Sequence, residues 1–324
     1  MKLIKSWGNT SHKVVETSHR LEDSKLNLNF GNNNSYGDAS VPFGSNTLEI
    51  SEIKINDGFY SSSLTIENTI SDLNMSMYSI PGSSNVTLGG AIAADVHGKD
   101  GQMSGSFINN VKSIQLLLPS GETIVCSRTK NSEIFYTTVG GYGLTGVILG
   151  VELIKDLPKL YSHYECKNIK GTGLDDLLRN FPDSENSLSV AWLELLDKNY
   201  KWVINHSTPA LNISKENPKY FKVKSEPNFS LPLIGNNHFY LLNSINTLYF
   251  RSKKENSISF KKRGAVLYPL NFLTDTRNIV KKRKVVQIQF SIPIKYESHI
   301  EILLNLLIQN QIPTLTQKKL VEQT

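Results

Sequence analysis

The chain is poor in cysteine and has no long apolar run. Its 324 residues include only two cysteines, Cys126 and Cys166, which cannot build a disulfide framework and whose spacing suggests no metal site. No apolar stretch approaches the roughly 18 residues that a membrane-spanning helix needs. The first residues include a lysine but no apolar segment behind it, so no secretory signal is evident. We therefore expect a cytoplasmic protein without a metal site.

Two common nucleotide-binding motifs are also missing. The sequence contains no G-x-x-x-x-G-K-[ST] segment. It also has no G-x-G-x-x-G segment between a predicted strand and a predicted helix with an acidic residue after it. These absences argue against a P-loop nucleotide hydrolase and against a Rossmann dehydrogenase.

Basic residues outnumber acidic ones, and the excess is concentrated in the last third of the chain. The formal net charge is +6, and three basic clusters contribute: Lys253-Lys254, Lys261-Lys262-Arg263 and Lys281-Lys282-Arg283-Lys284. Such clusters form either a solvated face or a surface that attracts a phosphorylated substrate, an acidic membrane or a nucleic acid. They lack the context of a helix-turn-helix, a zinc finger or an RNP motif, so we expect no nucleic-acid partner.

Composition divides the chain near Pro158. The length suggests about two domains, and 39% hydrophobic with 20% charged residues is typical of a globular protein. Glycine is frequent before Pro158 and sparse after it. We therefore predict an α+β protein with one domain over residues 1–157 and a second over residues 158–324.

Local patterns predict mainly strands. Pro119–Glu122 is predicted to be a hairpin turn, Asn131–Thr138 a short helix capped by Asn131 or Ser132, and Tyr296–Gln309 a helix with periodic leucines and isoleucines. Strands are predicted where β-branched and apolar residues cluster: at Thr47–Ile55, Ser63–Ile66, Val111–Leu118, Thr123–Cys126, Val147–Ile154, Leu188–Leu195, Tyr200–Ile204, Leu248–Phe250, Val266–Leu267 and Val285–Ile292.

Three glycine-bearing segments lie in the first half of the chain: Gly31–Asp38, Pro81–Ala93 and Gly140–Gly146. Glycine and asparagine tolerate positive φ, so consecutive backbone N–H groups can converge on an anion. Small residues also permit the close approach of a flat or extended ligand. Each segment alone predicts only a turn, but three together favour a long, buried, phosphate-bearing ligand such as a dinucleotide.

These segments resemble a known flavoprotein family. The run from Pro81 to Lys99, together with the blocks Ser35–Asp38, Gly105–Phe107 and Val139–Gly146, resembles the flavin-binding core of the vanillyl-alcohol-oxidase (PCMH-type) flavoproteins. The nearest branch resembles the oxidase subunits of decaprenylphosphoryl-β-D-ribose 2′-epimerase. The resemblance implies FAD and an α+β fold, in which a two-lobed FAD-binding domain precedes an α+β cap domain built on an antiparallel sheet. The substrate lies between the two domains.

The resemblance also implies roles for individual residues. His97, Tyr36 and Lys319 are the catalytic candidates, and Lys99, Tyr268, Gln287 and Gln289 are expected to face the substrate. The structural alternatives are a satisfied histidine at His97, a plug of the turn at Tyr36 and a solvated charge at Lys99. The residues expected to bind FAD are Gly31, Asn32, Asn33, Asn34, Ser35, Tyr36, Pro81, Gly82, Ser83, Thr87, Gly89, Gly90, Ala94, His97, Gly143 and Val147.

Asn34 predicts that the FAD is bound non-covalently. Covalent members of the family carry at this place a histidine that bonds the flavin ring, and an asparagine amide has no nucleophilic ring nitrogen. The sequence departs from the family pattern in two further places. The stretch from Phe59 to Ile80 is shorter than its counterpart, and the chain ends at Thr324 before a tail that returns to the flavin, so we expect a truncated cap domain.

The function expected from the resemblance is an FAD-dependent oxidation. The enzyme would oxidise a secondary CH–OH group of a sugar or a lipid-linked sugar by hydride transfer to the flavin. The alternatives are an aldonolactone or alditol oxidase, and a truncated, non-catalytic remnant that still binds FAD. The expected partners are the sugar substrate, a separate reductase and an anionic membrane, with the protein either free in the cytoplasm or peripheral to the inner face of the membrane.

Overall fold

The fold combines helices with antiparallel sheets in both halves of the chain, which confirms the predicted α+β class. The structure is a computed structural model that describes residues 2–5, 12–18, 32, 46–48, 55–100, 104–182, 187–194, 199–211, 238–269, 271, 299, 302, 306 and 316–318.

The first half contains two sheets. Three strands form the first in the order β1-β2-β3: β1 (Lys2–Lys5), β2 (His12–Ser18) and β3 (Asn46–Leu48), with β1 and β2 antiparallel and β2 and β3 parallel. The second is antiparallel throughout, in the order β4-β7-β5-β6: β4 (Tyr60–Ser61), β5 (Val111–Leu117), β6 (Thr123–Ser127) and β7 (Val147–Leu153).

The predicted hairpin between β5 and β6 is confirmed. The Leu118 N–H donates to the Glu122 carbonyl at 2.8 Å, and Gly121 adopts a φ of +89°. Only glycine takes that backbone conformation without a steric penalty, so the residue at the tip of the turn determines how β5 reverses into β6.

Short helices pack beside the second sheet: α1 (Ile66–Leu73), α2 (Leu88–Ala93), a 3₁₀ turn (Phe107–Asn110) and α3 (Ser132–Thr138). Thr65 caps α1 by accepting from the Asn68 N–H at 3.2 Å, and Thr87 caps α2 by accepting from the Gly90 N–H at 3.1 Å. Each hydroxyl satisfies an amide that the first helical turn leaves without an intrahelical partner.

One apolar core lies between this sheet and these helices. Its fully buried members come from α1, α2, the 3₁₀ turn, β5, β6, α3 and β7: Ile66, Ile70, Leu88, Ala91, Ile92, Phe107, Val111, Ile114, Leu116, Cys126, Phe135 and Val151. Leu267 and Tyr268, which lie more than a hundred residues downstream, belong to the same core. The second half of the chain therefore contributes apolar side chains to the interior of the first.

A five-stranded antiparallel sheet dominates the described part of the second half. Its order is β11-β8-β10-β9-β12, with the strands β8 (His163–Thr172), β9 (Leu188–Leu193), β10 (Lys201–Pro209), β11 (Ile258–Lys262) and β12 (Thr316–Lys318). Trp202 and Ile204 of β10 pack with Ala191 and Leu193 of β9 against helix α4 (Leu174–Asn180). The boundary between residues 157 and 158 stays a prediction.

Three predicted strands are wrong. Ser63–Ile66 is a turn that enters α1, Leu248–Phe250 lies inside helix α5 (His238–Ser252), and Val266–Leu267 lies inside helix α6 (Arg263–Leu267). Short apolar runs have no period that separates a strand from a helix. The strand predicted at Val285–Ile292 lies outside the described residues. Within the helix predicted over Tyr296–Gln309, the described residues 299, 302 and 306 are helical.

Candidate functional site

Described residues of the first and third glycine-bearing segments both contact the second segment, which contains α2. Asn32, the one described residue of the first segment, donates from its side-chain Nδ2 to the Asn85 carbonyl at 2.8 Å. The N–H of Gly140, in the third segment, donates to the Ile92 carbonyl in α2 at 3.0 Å. The second segment therefore contacts both of the others, and the fold brings together residues that are far apart in sequence.

Gly89 and Gly90 lie on different sides of α2. A Cβ at Gly89 would lie 3.0 Å from the Ser62 Cβ and 3.2 Å from the Ser62 carbonyl oxygen. The Gly89 N–H donates to that same carbonyl at 2.9 Å. Gly90 is exposed, and among the described residues a Cβ there would have only the Thr87 Oγ1, at 3.0 Å, within 4 Å. Gly89 therefore serves the packing of α2, whereas the backbone at Gly90 is open to a ligand that approaches closely.

The loop from Gly140 to Gly146 shows the same division. A Cβ at Gly141 would lie 2.2 Å from the Thr137 carbonyl oxygen, and one at Gly146 would lie 2.3 Å from the Leu117 carbonyl oxygen. Gly143 has a φ of +80°, and no atom of the part of the chain that the structure describes lies within 4 Å of the position of a Cβ there. Val147, the first residue of β7, is buried. Gly143 can thus face a ligand, while Val147 supports the loop from the core.

The loop from Pro81 to Thr87 joins α1 to α2. Pro81, Gly82 and Ser83 are partly buried, and the Ser83 Oγ accepts from the Asn85 N–H at 3.4 Å. The Thr87 hydroxyl serves as the cap of α2. Thr87 was predicted to bind the cofactor, and its hydroxyl here sets the geometry at the start of the helix.

His97, the one catalytic candidate among the described residues, lies shortly after α2. Ala94 and His97 are partly buried, and His97 forms an isolated antiparallel bridge with Ser106. Between them, Asp95 has a φ of +39° and accepts at Oδ1 from the Ile108 N–H at 3.3 Å. Burial raises the pKa of Asp95. Hydrogen bonds to Ser106 and Ile108 lower it, but the effect of burial is larger. Sequence reasoning missed Asp95, although aspartate is one of the few residues besides glycine that adopt the left-handed conformation.

Lys99 connects the two halves of the chain. Its Nζ donates to the Val266 carbonyl in α6, and its own carbonyl accepts from the Ser189 N–H of β9 at 3.1 Å. Burial lowers the pKa of Lys99 to about 8, Cys166 opposes that shift, and Lys261 adds to it. Lys99 was predicted to face the substrate, and its ammonium group here holds the backbone of α6.

Tyr268, also predicted to face the substrate, lies in a buried polar cluster. Its hydroxyl donates to the Glu67 Oε2 at 2.6 Å, and the side chain is 3% exposed. Arg263 donates to both carboxylate oxygens of Glu67, at 2.7 and 2.5 Å, and is 2% exposed. Burial, and then the charge of Glu67, raises the pKa of Tyr268 well above its usual value. Arg263 therefore does not belong to a basic surface, which corrects the reading of Lys261-Lys262-Arg263 as one exposed cluster.

Several predicted residues lie outside the described residues: Gly31, Asn33, Asn34, Ser35, Tyr36, Gln287, Gln289, Lys319 and the cluster at residues 281–284. Among the described residues, no group of three or more His, Cys, Asp or Glu side chains is arranged to hold a metal ion. None of the described helices is long and apolar enough to cross a membrane.

Comparison with known proteins finds oxidoreductases over part of the chain. A stretch of 123 residues, 37% of this chain, is 35% identical to decaprenylphosphoryl-β-D-ribose oxidase of Mycolicibacterium smegmatis and spans 26% of that protein. Cytokinin dehydrogenase 2 of Arabidopsis thaliana is 31% identical over 22% of this chain and 14% of its own length. L-gulonolactone oxidase of Scyliorhinus torazame is 33% identical over 25% of this chain and 18% of its own length. No family model matches the chain.

Proposed function

We propose that this chain binds FAD non-covalently against the exposed side of α2 and oxidises a secondary CH–OH group of a sugar or lipid-linked sugar. The relatives described above are two oxidases and a dehydrogenase, and the two oxidases are named after a lipid-linked ribose and a gulonolactone. The observation that carries the proposal is the uncovered backbone at Gly90, beside the place where the three glycine-bearing segments meet.

The described residues fit this cofactor. Among the described residues, Gly143 has no atom within 4 Å of the position of a Cβ, and Gly90 has only the Thr87 hydroxyl that caps α2. Gly140 ties the loop that carries Gly143 to α2, and Asn32 ties the first segment to the loop before α2. A dinucleotide that lies along α2 would thus contact all three segments through backbone groups, which is the contact that glycine-rich segments favour.

The protein would supply alignment and proton transfer. FAD, when bound, supplies a ring that accepts the hydride from the alcohol carbon. The chain holds the reacting carbon in place and receives the proton that the alcohol hydroxyl gives up. We assign this proton to His97, because histidine is the side chain most often used as a general base and His97 follows the small-residue run of α2. Tyr36 and Lys319 are the further candidates.

The test of the cofactor site is FAD retention by a Gly90→Val variant. Its branched side chain would extend into the space where we place the flavin, so the purified variant should lack the visible absorption of bound flavin. Asn68→Ala on the exposed side of α1 is the matched control, since only the backbone N–H of Asn68 takes part in the cap. FAD at wild-type stoichiometry in Gly90→Val, with a native circular dichroism spectrum, would contradict the proposal.

Non-covalent attachment is tested by acid precipitation of the FAD-loaded chain. All yellow colour should remain in the supernatant, because Asn34 offers no ring nitrogen for a bond to the flavin. Colour that pellets with the protein would show covalent attachment.

Two alternatives are distinguished by anaerobic reduction of the bound flavin. The similarity to L-gulonolactone oxidase supports an aldonolactone or alditol oxidase as the second candidate, which predicts bleaching by aldonolactones or alditols and not by secondary alcohols of sugar rings. A non-catalytic remnant would bind FAD, but none of these compounds would reduce its flavin.

A separate reductase that acts on the resulting ketone is the protein partner we propose.

Strand β11 supports a further proposal, that the protein associates with an anionic membrane surface. Ile258 and Phe260 are 60% and 54% exposed, and they share a face of the edge strand with Lys262. Exposed Lys167 of β8 lies opposite Ile258 in the register. Apolar side chains flanked by lysines fit an interface of anionic lipids, where each basic residue contributes about 1 kcal/mol.

Vesicle co-sedimentation tests this surface. The double variant Lys167→Glu/Lys262→Glu should lose binding to vesicles that contain phosphatidylserine, whereas the control Lys130→Glu/Lys155→Glu, exposed in the other half, should retain it. Binding of the wild type should fall at high salt. Equal binding of the wild type to anionic and neutral vesicles, or none to either, would refute the membrane proposal and leave a soluble phosphorylated sugar as the anionic partner.

A further inference from the structure

One short segment of the second half, Arg263–Asn271, contacts the glycine-rich half at three separate places. Arg263 and Tyr268 bind Glu67 in α1. The Val266 carbonyl accepts from Lys99, beyond α2. Asn271 binds Ser84 in the loop between α1 and α2. We call residues 263–269 and 271 the clasp segment.

Asn271 holds the backbone of the loop directly. Its Oδ1 accepts from the Ser84 N–H at 3.0 Å, and its Nδ2 donates to the Ser84 Oγ at 2.9 Å. Ser84 is 2% exposed. The next residue, Asn85, accepts from Asn32 of the first glycine-bearing segment. The carboxamide of Asn271 therefore holds Ser84 in place. Ser84 directly precedes Asn85, where the first glycine-bearing segment contacts the second.

The Glu67 contact acts on the same loop through α1. The Ile66 N–H donates to the Val86 carbonyl at 2.9 Å, and the Leu88 N–H donates to the Leu64 carbonyl at 2.8 Å. These two bonds tie the start of α1 to the start of α2, and Glu67 lies in the first turn of α1. A shift of Glu67 would therefore move the end of the loop that carries Thr87.

We infer that the clasp segment is part of the cofactor site, with Asn271 and Arg263 as positioning residues for the loop from Pro81 to Thr87. The inference rests on the proposed binding of FAD at α2. A loop that is already held in its bound geometry pays less ordering entropy when the ligand binds. The contacts of Asn271 and Arg263 are with Ser84 and Glu67, neither of which we place against FAD, so their loss should weaken FAD binding without removing a contact to FAD.

The experiment measures the Kd for FAD on the full chain by quenching of flavin fluorescence, at a temperature where each FAD-free variant is fully folded. Asn271→Leu, which removes both bonds to Ser84, should weaken binding about tenfold, since each hydrogen bond contributes on the order of threefold. Amide hydrogen exchange over residues 81–87 should rise in the same variant. Asn180→Leu is the control, because the Asn180 side chain bonds only within α4, to Asp176, and should leave the Kd unchanged.

The outcomes separate this inference from the proposed function. A wild-type chain that does not bind FAD overturns the proposed function and the inference with it. Wild-type binding with an unchanged Kd in Asn271→Leu overturns the inference alone, even if the melting temperature falls. If Asn271→Leu does not fold, Ser84→Ala removes only the hydroxyl contact and should weaken binding about threefold, and an unchanged Kd there overturns the inference.

Discussion

The neighbouring glycines of α2 have different surroundings, so substitution by alanine should have a different effect on stability at each. Gly89 packs against the backbone of Ser62, while Gly90 has only the Thr87 hydroxyl nearby. A side-chain atom can move by a few tenths of an ångström at little cost, but the backbone of Ser62 is held by its hydrogen bond from the Gly89 N–H. The two positions are therefore a matched pair for mutation.

We expect Gly89→Ala to lower the free energy of unfolding by about 1–3 kcal/mol, the usual cost of overpacking. Gly90→Ala should change it by no more than about 1 kcal/mol, because the gain in helix propensity offsets the displacement of the Thr87 hydroxyl. Urea unfolding of the FAD-free chain measures both. Equal destabilisation by the two substitutions would show that the described packing of α2 on Ser62 is wrong.

Lys99 predicts a specific pH dependence of stability. Burial lowers its pKa in the folded chain to about 8 from an ordinary value of 10.5, so between these values the unfolded chain binds more protons than the folded one. Stability therefore gains from Lys99 as the pH rises from about 8 to 10.5. Tyr164 and Cys126, whose pKa values burial raises to about 12 and about 11, act in the opposite direction at alkaline pH.

The Lys99 contribution is isolated by comparison with Lys99→Met. The free energy of unfolding of the variant is subtracted from that of the wild type at each pH. This difference should increase between pH 8 and 10.5 and should not change with pH below pH 7. A difference that is flat across the whole range would show that the ammonium group is not desolvated.

Sequence patterns identify candidate residues better than they identify partners. The three glycine-bearing segments were predicted to act together, and the described residues do meet around α2. The partners of Lys99, Arg263 and Tyr268 are 167, 196 and 201 residues away in sequence, and no local pattern marks them. The contacts that join two parts of the chain at these residues were therefore not predicted, and the substrate-facing roles of Lys99 and Tyr268 stay predictions.

Among the elements, α1 has a well-defined start and end. Thr65 caps its first turn, and exposed Asn74 ends it in the left-handed conformation with a φ of +55°. Asparagine tolerates this conformation, and glycine adopts it at no steric cost. The residue after the last turn thus affects the stability of a helix that carries Glu67.

Asn74→Gly and Asn74→Ala should have opposite effects. Glycine should leave the melting temperature unchanged or raise it slightly, whereas alanine should lower stability by about 1 kcal/mol, because its Cβ disfavours positive φ. Thermal unfolding followed by circular dichroism measures both. A more stable alanine variant would contradict the left-handed end of α1.

Elements with a clear period or a specific turn were predicted well from sequence. The hairpin at Pro119–Glu122 and the strand before it follow from turn residues that act within a few positions. Helix α3 begins after Asn131 as predicted, although Asn131 adopts the left-handed conformation and makes no side-chain cap hydrogen bond. The failures at Leu248–Phe250 and Val266–Leu267 are short apolar runs. Their helical state depends on packing against β8 and the core, which a window of a few residues does not contain.

At the scale of the whole molecule, the two halves share a buried ion pair. Removal of one partner leaves an uncompensated charge, which typically costs 3–5 kcal/mol, whereas replacement of both by apolar groups of similar size is often tolerated. The Tyr268 hydroxyl also donates to Glu67, so loss of Glu67 removes an acceptor from both Arg263 and Tyr268, whereas loss of Arg263 leaves the carboxylate with the bond from Tyr268.

A double-mutant cycle tests this coupling. Arg263→Met and Glu67→Leu should each destabilise the chain by about 3–5 kcal/mol, and the double variant should be more stable than the sum of the two predicts by at least about 1 kcal/mol. Urea unfolding at pH 7 gives all three values. Strict additivity would mean that the two side chains do not interact in solution.

The clasp segment also has a consequence for biosynthesis. Ser84 is made 187 residues before Asn271, and Glu67 is made 196 residues before Arg263. At 5–20 residues per second, a ribosome needs about 10–40 s to cover that distance. During this interval the nascent glycine-rich half has emerged while Glu67 still lacks its cation and Ser84 its amide partner. Loading of the cofactor is therefore expected to follow release of the segment from the ribosome, and a stalled nascent chain that ends before Arg263 should capture FAD poorly.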